Sequence, residues 1–342
     1  MDRFFVVAAL LVLTASVVGS AALFTHGAFA HAFDETVLAS RNATRSVANM
    51  LANYQIPEEI RMLFVGDVML DRGVAFMIGK QNADFRFPFL KTAGMLEEAD
   101  ITIGNLEGPI SNRGEKKGSI YSFRMSPDVI RGLVFAGFDV MSIANNHIWD
   151  YGREGLEDTI TFLNEAGIQP VGAGKNEGEA NDVVIMRRGN TTFGFLSFTT
   201  LYPEGLEASG EMPGISSANL SEIQRIVKDA ALRADILTVL MHWGVEYETK
   251  ARAAERELGR ALIHSGADLV IGGHPHVVQE TETYGEGWIA FSLGNFVFDQ
   301  NFSGETMRGA ALEVIAKNGK IETVHMIPVA INTFFQPEFV LP

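Results

Sequence analysis

The sequence predicts an α/β domain, and three features of the chain support that class. Short apolar runs typical of buried strands recur along it, amphipathic stretches of helical length separate them, and the C-terminal part carries turn signals typical of antiparallel hairpins. Alternation of strand and helix indicates βαβ units around buried strands. With 342 residues, 47% of them hydrophobic, the chain is long enough to bury a large core.

The first feature along the chain is an apolar N-terminus. Residues 4–24 contain no charged side chain and follow Arg3. This length can span a bilayer, whereas Ala28-Phe29-Ala30 resembles a signal-peptide cleavage site. Residues 1–30 are therefore predicted to be a signal peptide or a membrane anchor, which would make the protein extracytoplasmic, either membrane-anchored or secreted. Residues 31–60 are predicted to be a linker or a short helix.

Five predicted strands share one property, because each runs into Asp, Asn, Glu or His at or just after its end. These strands are 61–65, 101–103, 140–143, 236–241 and 269–271. The helices predicted between strands are 127–136, 154–166, 220–233 and 251–265. Ligands of open α/β sheets bind beyond the carboxyl ends of strands. The five polar clusters therefore predict one shared site.

The remaining elements are predicted to be largely antiparallel. Strands 182–188 and 192–198 flank Gly189-Asn190, a hairpin turn signal, and Asn318-Gly319 joins strands 308–316 and 321–327. A further strand is predicted at 288–293. No internal repeat or Pro/Gly-rich linker divides residues 61–335, so they are predicted to form one domain.

Composition narrows the classes of partner and site. The net charge of −15 and the lack of long Lys/Arg runs argue against nucleic acid as the main partner. The chain has no cysteine, which excludes disulfides, thiolate ligands and a cysteine nucleophile. Any metal must be held by nitrogen and oxygen atoms.

The candidate metal ligands come from the strand ends. They are Asp67, Asn105, Glu107, Asn146, His242, His274 and His276. Taken singly they are weak signals, because an Asp after a strand is often a cap and a lone buried His is often a hydrogen-bonded core residue. Two histidines around a proline, as in His274-Pro275-His276, are more specific. The set suits one or two divalent ions such as Mn, Fe or Zn.

Other residues near these motifs are candidates for functional roles, and four of them have a structural alternative. His147, next to Asn146, can protonate a leaving group. Arg72 and Arg124 can clamp a phosphate or carboxylate, or each can form a surface salt bridge. Trp243 and Tyr247 can wall the pocket or belong to the core. Gln279 and Asn295 can hold imidazoles in place.

The motifs, in order, resemble those of a known family. They are Gly66-Asp67-Val68-Met69-Leu70; Asn105-Leu106-Glu107; Asn145-Asn146-His147 with Asp150 and Gly152; His242-Trp243-Gly244; Gly273-His274-Pro275-His276; and Ser292-Leu293-Gly294-Asn295-Phe296. Residues 61–298 resemble the capsule synthesis protein CapA (poly-gamma-glutamate capsule biosynthesis) family of the calcineurin-like metallophosphoesterase superfamily. The resemblance implies a metallophosphoesterase-like sandwich of two central mixed β-sheets flanked by helices, with a dinuclear site at the strand ends.

The resemblance also implies roles for individual residues. Asp67 and His276 match first-metal ligands, whereas Asn146, His242 and His274 match second-metal ligands. His147 matches the histidine that protonates the leaving group.

Two positions depart from typical metallophosphoesterases. Met69 stands where those enzymes have a histidine, and Asn105, with Glu107 nearby, stands where they have a bridging aspartate. CapA-like sequences share both departures, which put phosphatase activity in doubt.

Two classes of function follow. The first is a protein that makes or processes a cell-envelope or capsule polymer of poly-gamma-glutamate type, with a metal-dependent hydrolase site acting on a phosphoester, amide or ester. The second is a non-catalytic, membrane-tethered subunit of a capsule synthesis or export complex, or a module that binds the polyanion. His147 favours catalysis, and Met69 together with the anchor-like N-terminus favours the second class.

Overall fold

A computed structural model describes residues 59–117, 120–201, 205–216 and 220–340 of the chain. The predicted signal peptide or anchor lies outside the described residues, as does the predicted linker up to residue 58. The described residues form one compact unit by their contacts. Within the described ranges, no helix is both long enough and apolar enough to cross a membrane.

Sixteen strands occur in the described part of the chain. They are β1 Glu59–Val68, β2 Ile101–Leu106, β3 Val140–Ser142, β4 Gln169–Val171, β5 Ala173–Gly174, β6 Val184–Arg188, β7 Thr191–Thr199, β8 Gly214–Ile215, β9 Ile236–His242, β10 Leu269–Gly273, β11 Thr281–Tyr284, β12 Gly287–Ala290, β13 Asn295–Val297, β14 Arg308–Lys317, β15 Lys320–Ile331 and β16 Pro337–Phe339.

Seven α-helices accompany them in the same ranges. They are α1 Arg72–Lys80, α2 Ala93–Glu97, α3 Ile130–Phe135, α4 Gly152–Glu165, α5 Glu177–Asn181, α6 Leu220–Ala231 and α7 Ala253–His264. The predicted helix 127–136 is split, because Pro127–Val129 forms a 3-10 turn before α3.

The strands form two large mixed sheets. The first has the order β16-β15-β14-β1-β2-β3-β4, with β13 also paired to β1, and the second has the order β11-β12-β10-β9-β7-β6. Strands β1 to β4 are parallel, as are β7, β9, β10 and β12, whereas β14, β15 and β16 are antiparallel.

The sheets pack face to face with helices outside them. Met62 and Phe64 of the first sheet share a core with Phe193 and Leu269 of the second. A second core joins the first sheet to α1, α3 and α4, and a third joins the other sheet to α6 and α7. The predicted sandwich of two mixed sheets flanked by helices is confirmed.

Candidate metal centre

Strand pairing brings the predicted ligands to one end of the sandwich. In the first sheet, Asp67 pairs with Asn105 on one side and with Asn295 on the other. In the second sheet, His242 pairs with Gly273, the residue before His274. Parallel strands present their carboxyl ends at the same edge. The ligand candidates of both sheets therefore converge because of register.

Three of these residues form a buried group, which we call the inner triad: Asp67, Glu107 and His242. Their ligand atoms all lie within 4.8 Å of one another. Asn105 Nδ2 donates to Asp67 Oδ1 at 2.8 Å, and Asn146 Oδ1 lies 2.8 Å from His242 Nε2. The two amides thus hold the triad in place and offer further oxygen ligands.

A second group, the rim triad, consists of Glu246, His274 and His276. Its ligand atoms also lie within 4.8 Å of one another, and Glu246 is exposed. Sequence reasoning missed Glu246. The available signal was an acid in the loop after β9, four residues beyond His242.

His276 lies between the two triads. Its Nδ1 is 3.2 Å from Asp67 Oδ2 and 3.0 Å from Asn295 Oδ1, and its Nε2 is 3.5 Å from Glu107 Oε1. Asn295 thus contacts an imidazole, as the sequence predicted. His276 is in reach of both groups of ligands.

Two buried atoms at this site have no hydrogen-bond partner among the described residues. They are Glu107 Oε1 and His274 Nδ1. A buried carboxylate is costly unless it is paired or bound to a cation, and the neighbouring imidazole nitrogens of His276 and His147 stand 3.5 and 3.9 Å from Glu107 Oε1. Nitrogen and carboxylate donors on stiff strand ends suit Mn, Fe or Zn. The residues present fit one or two divalent ions.

The electrostatics of two of the imidazoles, His242 and His274, agree with that fit. Burial, followed by the charge of His274, lowers the pKa of His242 well below its ordinary value. Burial and the charge of His276 lower the pKa of His274 to about 4. Both imidazoles are therefore neutral near pH 7 and have a lone pair for a metal.

The neighbouring carboxylates raise the pKa of the third histidine, His276. Burial alone lowers the pKa of His276, but the carboxylates of Glu107 and Asp67 outweigh it and raise that pKa to about 9. Burial also raises the pKa of Glu107, partly offset by His276.

His147 is fixed beside the inner triad. Its Nδ1 donates to Asp150 Oδ2 at 2.7 Å, its backbone N–H donates to Asn145 Oδ1, and the ring of Phe123 lies 4.1 Å away. The Asp150 contact favours the tautomer with the proton on Nδ1, which leaves Nε2 as the end near Glu107. His147 is thus oriented to exchange a proton through Nε2.

Met69 belongs to an apolar cluster at the same place. It packs with Phe123 and Phe298, and all three are buried. The Phe298 ring lies 4.7 Å from the ring of His276. The position where the resemblance expects a histidine is therefore filled by an apolar wall that supports His147 and His276.

The two predicted arginines have other partners. Arg72 forms an ion pair with Asp299 and lies over the Phe123 ring at 5.1 Å. Arg124 lies over Tyr151 at 4.2 Å. No hydrogen bond or ion pair among the described residues joins either one to the triads, so their role as clamps stays a prediction.

The remaining predicted residues divide between core and site. Trp243 is a core residue whose Nε1 donates to the Phe291 carbonyl at 2.9 Å. Tyr247 borders the site, with its ring 6.2 Å from that of His276. Gln279 Nε2 donates to the carbonyl of Glu248 at 2.7 Å, and no hydrogen bond among the described residues joins Gln279 to the predicted imidazole partner.

Comparison with known proteins agrees with the motifs. Residues 61–300 match the family described as bacterial capsule synthesis protein PGA_cap. The chain is 31% identical to the capsule biosynthesis protein CapA of Bacillus anthracis, over 80% of this chain and 68% of that protein. It is also 31% identical to the PGA biosynthesis protein CapA of Bacillus subtilis, over 79% of this chain and 71% of that protein.

A solved structure shares the fold. A hypothetical protein from Thermus thermophilus aligns with 79% of this chain and 98% of its own, with a TM-score of 0.51 and 17% identity. This likeness concerns the architecture alone. Given the match over residues 61–300 and the two relatives, the chain belongs to the bacterial capsule synthesis protein PGA_cap family.

Proposed function

We propose that the protein acts in the synthesis or processing of an anionic capsule or cell-envelope polymer of poly-gamma-glutamate type, through a metal-dependent hydrolytic step. Membership of the capsule synthesis family supports this class of polymer, and the names of the two CapA relatives refer to capsule and PGA biosynthesis. The apolar N-terminus supports action outside the cytoplasm, anchored in the membrane or secreted, as a member of a capsule synthesis or export complex.

The inner triad is the observation that supports metal-dependent hydrolysis most directly. Two carboxylates and an imidazole converge in a buried site, and one carboxylate oxygen, Glu107 Oε1, has no hydrogen-bond partner among the described residues. A purely structural cluster would satisfy its buried polar atoms. Divalent ions held there would supply Lewis-acid polarisation and an activated water nucleophile.

The chain itself supplies the proton for the leaving group. His147 Nε2 is 3.9 Å from Glu107 Oε1, and the bond from Nδ1 to Asp150 holds the ring in that orientation. Nε2 would first take up a proton released by the attacking water, so that both ring nitrogens carry one, and after attack on the scissile bond it would donate that proton to the departing nitrogen or oxygen. The apolar cluster of Met69, Phe123 and Phe298 excludes water from one side of the imidazole.

The test is hydrolysis by the full-length chain loaded with Mn²⁺. Poly-gamma-glutamate is followed by new amino termini, and aryl phosphomonoesters and diesters by released phenol. His147→Ala is compared with His325→Ala, an exposed histidine on β15. Turnover of any of these substrates that falls at least about a hundredfold in His147→Ala alone supports the proposal. No turnover, or equal turnover in both variants, contradicts it.

A second candidate is a non-catalytic subunit or polyanion-binding module, and one observation favours it. Met69 and the two phenylalanines close the position where a typical metallophosphoesterase has a ligand. In that case the protein would bind poly-gamma-glutamate through its metal ions without cleaving it. Binding that requires Mn²⁺ and leaves the polymer length unchanged would select this candidate.

A further inference from the structure

We propose that Gln300 is a positioning residue of the metal centre, which acts through the side-chain amide of Asn295 to fix the imidazole of His276. In that arrangement Nδ1 of His276 keeps a proton, and Nε2 stays 3.5 Å from Glu107 Oε1. This inference rests on the metal site of the proposed function, but it does not require hydrolysis.

The side-chain amide of Asn295 is held in one orientation. Its Nδ2 donates to Gln300 Oε1 and to the carbonyl of Thr306, both at 3.0 Å. A reversed amide would place Oδ1 against these two acceptors. Oδ1 therefore lies 3.0 Å from His276 Nδ1, and since an amide oxygen only accepts, Nδ1 donates. The proton on Nδ1 leaves Nε2 as the nitrogen that can bind an ion.

The side chain of Gln300 is held in one orientation too. Its Nε2 donates to the Tyr247 hydroxyl at 3.3 Å, which leaves Oε1 for Asn295. The backbone N–H of Tyr247 donates to the carbonyl of Pro275, next to His276 in the chain, at 2.8 Å. We call Tyr247, Gln300 and Asn295 the amide network. It contacts the loop that carries His276 at both of its ends.

The backbone around Gln300 is fastened as well. The Thr306 hydroxyl donates to the Gln300 carbonyl at 2.6 Å, which closes the loop after β13. One residue earlier, Asp299 Oδ2 accepts the backbone N–H of Gly73 in α1 at 2.8 Å. The Gln300 side chain thus extends from a fixed point, as a positioning residue requires.

Burial makes the bonds of the amide network costly to lose. Asn295 is 0% exposed, His276 is 2% exposed and Gln300 is 9% exposed. A buried amide proton that loses its acceptor is unfavourable, because it gains no water in exchange. Without Gln300 Oε1, the Asn295 amide would therefore rotate and release its hold on His276.

Another buried glutamine provides a matched control. Gln336 is 5% exposed, its Oε1 accepts from Asn332 Nδ2 at 3.3 Å, and its Nε2 donates to the carbonyl of Phe87 at 2.6 Å. Gln336 thus makes the same kinds of bond as Gln300, with partners outside the metal site. If Gln300 only stabilised the fold, replacing either glutamine with methionine would have the same effect on the metal centre.

The experiment compares the full-length natural chain with Gln300→Met, Gln300→Glu and Gln336→Met. Gln300→Glu keeps an acceptor oxygen for Asn295. Mn²⁺ is titrated calorimetrically into each chelator-treated protein. The Zn²⁺-loaded proteins are then studied by ¹⁵N NMR for the proton on His276 Nδ1, with His276→Gln to assign that resonance. Circular dichroism establishes that each variant is folded.

Gln300→Met should weaken Mn²⁺ binding by at least about tenfold and shift or broaden the His276 resonance. Gln300→Glu and Gln336→Met should resemble the natural chain in both measurements. A Gln300→Met variant with the Mn²⁺ affinity of Gln336→Met would overturn the proposal. So would weaker binding with an unchanged His276 resonance, or a Gln300→Glu variant that binds as weakly as Gln300→Met.

Tyr247→Phe takes the place of Gln300→Met if that variant does not fold, because it removes only the hydroxyl of a partly exposed side chain. It should also shift the His276 resonance, and an unchanged resonance would overturn the proposal. Neither measurement uses a substrate, so an inactive enzyme leaves the result intact. A natural chain that binds no Mn²⁺ would contradict the metal site and this inference together.

Discussion

Gly273→Ala tests the placement of the inner triad with one added methyl group. Gly273 ends β10 beside His242, and its backbone lies outside the left-handed region, so alanine meets no backbone strain. A Cβ at this position would stand 2.7 Å from Asp67 Oδ1. Real Cβ contacts essentially never fall under 3.0 Å, so the carboxylate must retreat by at least about 0.3 Å.

The size of the effect follows from what Asp67 Oδ1 does. It accepts the bond from Asn105 Nδ2 at 2.8 Å and belongs to the inner triad. Disturbing the groups that orient a ligand typically lowers metal affinity about 10–100-fold, which is roughly 1.4–2.8 kcal/mol. The metal-free fold should change less, since alanine in a strand recovers about 0.5–1 kcal/mol relative to glycine.

The assay is Mn²⁺ titration of the chelator-treated chain, with thermal unfolding in the absence and presence of Mn²⁺. The control is Gly79→Ala in α1, where a Cβ meets nothing within 4 Å; it should raise stability by up to about 1 kcal/mol and leave Mn²⁺ affinity unchanged. Equal Mn²⁺ affinity in the two variants would refute the placement of Asp67 as an inner ligand.

Three further predictions concern orientation, packing and pH. Asp150→Asn should lower hydrolytic turnover about tenfold or more with metal content unchanged, because His147 loses its charged partner. Undiminished turnover would contradict the role of Asp150 in orienting His147. Phe298→Ala should lower the free energy of unfolding in urea by about 3–5 kcal/mol, since Phe298 is 1% exposed. The control Phe302→Ala, at 63% exposure, should lower it by less than about 0.5 kcal/mol. Similar losses in the two variants would contradict the apolar wall around Met69. Burial raises the pKa of Asp268 in the folded protein above its value in the unfolded chain. The folded state is therefore stabilised relative to the unfolded state below the unfolded-state pKa, and this stabilisation is lost as pH rises through the folded-state pKa. The melting temperature of Asp268→Asn, measured relative to that of the natural chain, should therefore rise between about pH 4 and about pH 7. A difference in melting temperature that stays constant over this range would contradict the raised pKa of Asp268.

The sequence predicted the sheets and the ligands better than the loops. Strand ends such as Asp67 and His242 carry a local signal, an apolar run followed by a polar residue, and parallel pairing then brings them together. α1 was not predicted, because it begins at Arg72 with no side-chain cap and its N-terminal residue has a φ of 50°. Short strands such as β13 are defined by their partner and not by their own periodicity.

The candidate site shows the same division. Glu246 gave no sequence pattern of its own, and its position depends on the bond between Tyr247 and Pro275, which joins residues far apart in the chain. Likewise, no local pattern shows that Gln279 bonds to the backbone of Glu248 and not to an imidazole. Contacts between loops are set by tertiary structure, which periodicity and spacing do not encode.

Metal content per chain tests the central claim most directly. Elemental analysis of the purified full-length chain is compared with that of the Asp67→Ala, His274→Ala double variant, which removes one ligand from each triad. The expected result is near-stoichiometric Mn, Fe or Zn in the natural chain and its loss in the folded variant. No metal in the natural chain, or equal metal in both proteins, would contradict a metal centre at this site.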